Sequence, residues 1–207
     1  ELNQYDRILD WANAAHNFVH FGNASEIAKL IRERYNALVG AEKRTLNAQK
    51  NLADSMEKFT DALLTCRGTL IGDAAEDCRK KMAKLPDASS DPLFYELTLH
   101  AMNSIQNFQG EKSPYEIGME TVHWCREKRL VQQAYTALKE TIITYCCGIY
   151  APEIKDAYLN FDVRERVINT ALGTLAAYDA TDDGHRKHLH ALRPEYRKIY
   201  MRIILHV

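Results

Sequence analysis

The sequence predicts an all-α protein, a multi-helix bundle of seven to nine helices. Three observations carry this. Apolar residues recur at helical spacing over long stretches, and no run alternates strictly enough to mark a half-buried strand. Helix punctuation is frequent, with Ser, Asp or Asn ahead of periodic runs, Pro at first positions and Gly after last ones. The composition, 46% hydrophobic and 27% charged over 207 residues, is that of an ordinary globular protein with enough chain to bury a core.

Taken in order, the first helix carries Trp11 and two histidines, His16 and His20, one turn apart. That spacing can hold a metal, but no Glu follows the first His as in H-E-x-x-H, so packing or a partner surface is expected. Asn23 with Glu26 can cap a helix running to about Val39, with Gly40 as its stop. Leu52, Met56, Phe59, Leu63 and Cys66 then share one face of a long amphipathic helix. Asp73 can start another, ending before Leu85-Pro86. The stretch 87–92 reads as a loop, with Asp91 capping and Pro92 at the first helical position. Ser113-Pro-Tyr-Glu116 is a complete capping signal for a helical stretch broken near Arg129 and reaching about Tyr145. Asp162 opens a helix through Tyr178, and the Thr181–Gly184 turn leads into the last one.

Several functions are excluded by what is missing. No P-loop, G-x-G-x-x-G, G-x-S-x-G or zinc-finger spacing occurs. The five cysteines, Cys66, Cys78, Cys125, Cys146 and Cys147, are odd in number and contain no C-x-x-C, which suits reduced thiols rather than a disulfide framework. No apolar run of about 18 residues or signal peptide is present, so a cytoplasmic protein without membrane insertion is expected. His185, His188 and His190 cluster beside Arg186 and Lys187, whose charge disfavours a cation, so no metal and no cofactor are expected. The chain begins on Glu1 and stops one residue after His206; a fragment of a longer protein, folded as one helical domain over 1–207, is expected.

The net charge of -1 conceals an asymmetry. From His185 to Val207 six Lys/Arg face one acid, Glu195, so this segment is +5 and the remainder -6. A basic face can be a nucleic-acid footprint or an ordinary solvated helix face. Within it, Leu189, Leu192, Tyr196, Ile199, Ile203 and Val207 form an apolar stripe, and Arg202 and His206 stack one turn apart on its edge. Such a pair suits phosphodiester chemistry on RNA, which carries its own 2′-hydroxyl nucleophile. A guanidinium clamps phosphate oxygens, and an imidazole exchanges a proton near neutral pH. The plainer alternative is an arginine paired with a nearby acid and an interfacial histidine. Arg193, Arg197 and Lys198 are the candidate RNA-binding residues.

Three further segments carry a resemblance. Leu9-Asp-Trp-Ala-Asn-Ala-Ala-His-Asn-Phe-Val-His-Phe-Gly-Asn23 pairs a Trp-containing helix with a Phe-Gly-Asn element. Leu63-Leu-Thr-Cys-Arg-Gly68 is a second segment. The third is the pattern of Trp124, Glu127, Leu130, Gln132, Gln133, Ala134, Leu138 and Glu140. Over about residues 9 to 145 and the tail, the chain resembles the HEPN part of the CRISPR-associated CARF–HEPN ribonucleases, in the DxTHG-motif group. The resemblance implies a HEPN-like bundle that cleaves single-stranded RNA without a metal, as a homodimer, leaving 2′,3′-cyclic phosphate ends. It places Arg202 and His206 in the catalytic roles. It also implies activation by cyclic oligoadenylate through a CARF domain, which nothing in this chain matches. The family spaces its Arg and His by four to six residues, whereas three separate them here and no Asn follows Arg202. The alternatives are a non-catalytic helical dimerisation or RNA-binding module with a degenerate motif, and an unrelated helical scaffold for a protein partner.

Overall fold

The computed structural model describes residues 2–66, 68–85, 92–176 and 183–205, and every described regular element is helical. The chain divides into two units, Glu1–Leu138 and Lys139–Val207.

The first unit holds α1 (Leu2–Phe21), α2 (Ser25–Ala37), α3 (Gly40–Thr45), α4 (Asn47–Leu64), α5 (Gly68–Met82), α6 (Pro92–Ser104) and α7 (Pro114–Glu127). It also takes in the start of α8 (Val131–Tyr150). Helix α4 is the central element, packed on α2 and α5. Leu52, Met56, Phe59 and Leu63 are fully buried, as the apolar spacing predicts. Cys66, expected on the same face, instead lies beyond the helix end with φ +51°. There the chain turns into α5 at Gly68, five residues ahead of the expected start at Asp73. Ser113 behaves as read: its hydroxyl accepts from the Glu116 N–H, and the Glu116 carboxylate accepts from the Ser113 N–H at 2.7 Å. Arg129 marks the expected break, with φ +58° between α7 and α8. Gly40 ends the α2 segment but also opens α3. The Asp91 cap lies outside the described residues.

One contact organises this unit. Gly22 turns the chain from α1 to α2 with φ +68°, and a Cβ placed on it would sit 1.6 Å from Cη2 of Trp124 in α7. The indole therefore packs directly against backbone. Thr60 of α4 splints the same turn: its hydroxyl donates to the Gly22 carbonyl at 3.0 Å and accepts from the Ala24 N–H at 3.1 Å. Asn23 caps α2 one residue differently from the expected box. Its Oδ1 accepts from the Ser25 N–H, while Glu26 pairs with Lys29. Phe59 meets Trp124 and Phe108 edge to face, and Trp11 meets Phe94 in the same way. Lys128 donates to the Val19 carbonyl near the end of α1 and lies 5.6 Å over the Trp124 ring. A buried polar tie joins α4 to α5, where Ser55 Oγ accepts from Lys81 Nζ at 2.6 Å and lies 2.7 Å from Asp77 Oδ2.

The second unit contains the rest of α8, a π-helical stretch Asp162–Asn169 running into α9 (Thr170–Ala176), α10 (Asp183–Ala191) and α11 (Pro194–Leu205). Its core joins Ile143 and Cys147 of α8 to Val163, Val167 and Ile168, and to Ile199, Tyr200 and Ile203 of α11. Asp162 does open a helix, as expected, but with π winding through its first turns. Eleven α-helices are thus seen among the described residues against seven to nine expected. Part of the excess comes from α3 beyond Gly40, and part from the split of the terminal segment at Pro194, which takes the first position of α11.

Gly22→Ala should lower unfolding stability by about 3 kcal/mol, because the new methyl meets the indole at a left-handed φ. In a double-mutant cycle with Trp124→Leu, the two losses should be clearly less than additive. Thermal unfolding of the four proteins checks both statements.

Candidate functional site

The basic terminal segment is built on α11, whose apolar side packs Tyr196, Ile199, Tyr200 and Ile203 into the second core. Leu192 is also buried, so the predicted stripe is the packing face over its described length. Val207 and His206 lie outside the described residues.

Arg202 is exposed on α11 and points to the end of α8. Its Nη1 donates to the Tyr150 carbonyl at 3.1 Å and to both oxygens of Glu153 at 2.9 and 3.1 Å. The backbone N–H of Glu153, followed by Arg202, holds the Glu153 carboxyl below the usual carboxylate range. Nε and Nη2 of Arg202 make no hydrogen bond among the described residues, so one edge of the guanidinium is engaged and the other faces outward. Lys198, exposed one turn earlier, adds positive charge beside Glu153. Lys198, Arg202 and Glu153 therefore form one group.

The remaining candidates behave differently. Arg197 is half-buried and closes the end of α10, donating from Nε to the Leu192 carbonyl at 2.9 Å and from Nη2 to the His190 carbonyl at 2.6 Å. Its position is a structural one that basic composition alone did not reveal. Arg193 is exposed and lies 5.7 Å from the Tyr196 ring. In the histidine cluster, His188 donates from Nε2 to the Arg166 carbonyl at 2.8 Å and packs near Tyr200. No grouping of His, Cys, Asp and Glu suited to a metal occurs among the described residues. No described helix is long and apolar enough to cross a membrane.

Sequence reasoning missed the polar centre of this unit, Arg164. It projects from the π-helical stretch with its side chain only 15% exposed, pairing with Glu140 of α8. Its Nη1 donates to Thr144 Oγ1 at 2.9 Å and to the Tyr158 carbonyl at 3.1 Å. A half-buried guanidinium with this many acceptors is an anchor for the corner between α8 and the following helix. The signal was Glu140 itself, which stands in the Trp124–Glu140 pattern without an obvious local partner. All five cysteines are free thiols, with Cys78, Cys125, Cys146 and Cys147 buried. Burial pushes the Cys78 thiol up to about 12, and those of Cys125 and Cys147 to about 11. These groups are packing residues rather than nucleophiles.

Among known proteins, the family described as "CRISPR-associated protein MJ1674, second domain" matches residues 7–111, half of the chain. The match covers α1 to α6, including the Gly22 turn and Thr60, and ends before α7 and α11. No curated protein and no solved structure matches.

The two ion pairs of this unit should respond differently to mutation. Arg164→Ala should cost about 2 kcal/mol, since it leaves Glu140 without its partner in a partly buried site. Glu153→Gln, at an exposed pair, should leave the denaturation midpoint where it is. Urea unfolding of both variants checks the contrast.

Proposed function

From the premise that the chain belongs to the family of the second domain of CRISPR-associated protein MJ1674, we propose that it is the effector part of a CRISPR defence ribonuclease. In this reading residues 1–207 act as one HEPN-type module of the DxTHG group. The module is a cytoplasmic homodimer that cleaves single-stranded RNA in type III antiviral defence. In the full-length protein, cyclic oligoadenylate bound to a CARF domain switches it on.

The observation that carries the reading is the Arg202 group on α11. The edge of Arg202 that faces outward can accept a phosphate while Glu153 and the Tyr150 carbonyl hold the opposite edge in place. Lys198 and Arg193 supply neighbouring charge for the RNA backbone. His206, four residues after Arg202, supplies the proton transfer or a hydrogen bond to the phosphorane. The 2′-hydroxyl is the nucleophile, so the chain's own residues orient and stabilise, and neither a metal nor a cofactor is needed. Support also comes from unit 1, where the Phe-Gly-Asn turn and Trp124, the two most distinctive segments of the resemblance, pack on each other.

A second reading is favoured by the same ion pair. Arg202 tied to Glu153, with only three residues before His206, also suits a non-catalytic dimerisation or RNA-binding module whose motif is degenerate.

Cleavage of single-stranded RNA should survive EDTA; activity lost on chelation and restored by a divalent cation would overturn the mechanism.

His206→Ala should slow cleavage by about 10² to 10⁴-fold with RNA affinity and melting temperature unchanged. Lys198→Ala should instead weaken RNA binding and lower its salt slope by about one. Arg197→Ala should weaken binding too, but with a stability loss from the uncapped end of α10. A His206→Ala protein that cleaves at the wild-type rate would leave the non-catalytic reading standing.

A further inference from the structure

We propose that the outward face of α8 is the seam on which a second copy of this chain docks. Val131, Tyr135, Leu138, Ile142, Tyr145 and Ile149 are each between 37% and 71% exposed. Their spacing is four, three, four, three and four residues, the repeat of a helix that packs lengthwise against another. The opposite side of α8 is already used, with Ala137, Ile143 and Cys147 buried. A single helix of 20 residues carries the whole stripe, a length of about 30 Å.

Area and charge argue for a second copy as the occupant. The six side chains expose roughly 600 Å² per chain. Two copies would bury about 1,200 Å² from these residues alone, the lower end of what a stable interface needs. The positions flanking the stripe are Ala134, Thr141 and Gly148 on one side and Gln132, Lys139 and Cys146 on the other. One charge in six leaves little to desolvate, and the stripe offers no charge pattern for an acidic or basic partner. A heptad seam is self-complementary, as a two-fold interface requires.

Gly148 points the same way. Glycine is among the weakest helix formers, yet a Cβ there would meet nothing within 4 Å inside this chain. An approaching helix beside the seam gives its small size a use. The stripe also ends at Ile149, next to Tyr150, whose carbonyl holds Arg202. A copy docked along α8 therefore lies beside the Arg202 group. The inference rests on the homodimeric reading above for its choice of partner and adds the surface.

The test is the solution mass of the full 207-residue chain by sedimentation equilibrium. The wild type should be a dimer. The double variant Ile142→Glu/Tyr145→Glu should weaken it at least about hundredfold while keeping its helical circular dichroism. Gly148→Arg should do the same through a single exposed position, and decides the matter if the double variant fails to fold. Val39→Glu, at an exposed residue of the first unit, should leave the dimer intact. A wild-type monomer at about 100 μM, or a dimer that the seam variants do not weaken, overturns the proposal. A dimer held by α8 that cuts no RNA leaves this inference standing and removes the ribonuclease reading. Cleavage by a strictly monomeric protein does the reverse.

Discussion

The first unit depends on an indole that occupies the space of a missing side chain. Trp124 packs on the Cα of Gly22, and the turn there is held from a second side by the Thr60 hydroxyl. Three elements far apart in sequence, the α1–α2 turn, α4 and α7, are tied at one point. Only glycine meets both conditions at position 22, the left-handed φ and the absent Cβ. The Phe-Gly-Asn element and the tryptophan-led pattern are therefore two halves of one contact. Lys128 closes it from outside, over the indole and onto the Val19 carbonyl.

The second unit uses polar chemistry in the corresponding place. Arg164 gathers Glu140, Thr144 and the Tyr158 carbonyl around a single guanidinium and so fixes how α8 leads into the π-helical stretch. With that corner set, α11 buries its apolar side and its basic residues divide between tasks. Arg197 closes the end of α10, whereas Lys198 and Arg202 gather at Glu153. The +5 charge of the tail is thus not one uniform surface. The part with a free edge for an anion is the Arg202 group.

Local signals were legible wherever a few neighbouring residues determine the outcome. The Ser113 box, the break at Arg129, the apolar face of α4 and the packing face of α11 all follow from periodicity and capping. The reading failed where distant residues decide. Asp73 reads as a start because a capping residue before a periodic run is a strong local cue. The tight turn at Cys66 lets α5 begin at Gly68 instead, a geometry that no local propensity announces. Pro194 splits the terminal helix although the apolar stripe runs across the break. Arg164 and Arg197 look like surface charges until their carbonyl and carboxylate partners are in place. The family match, too, stops at residue 111, short of the α11 site. Assigning chemistry to the tail therefore rests on Arg202, Lys198 and the His206 beside them rather than on the matched half.

The most direct test of the central claim is the chemistry of the RNA ends. The purified chain is incubated with a labelled single-stranded RNA in EDTA, and the products are resolved before and after phosphatase and acid treatment. Attack by the 2′-hydroxyl, assisted by Arg202 and His206, predicts 2′,3′-cyclic phosphate ends that resist phosphatase until acid opens them, and that disappear with His206→Ala. Products bearing 3′-hydroxyl ends would mean that water is the nucleophile, and would contradict the account.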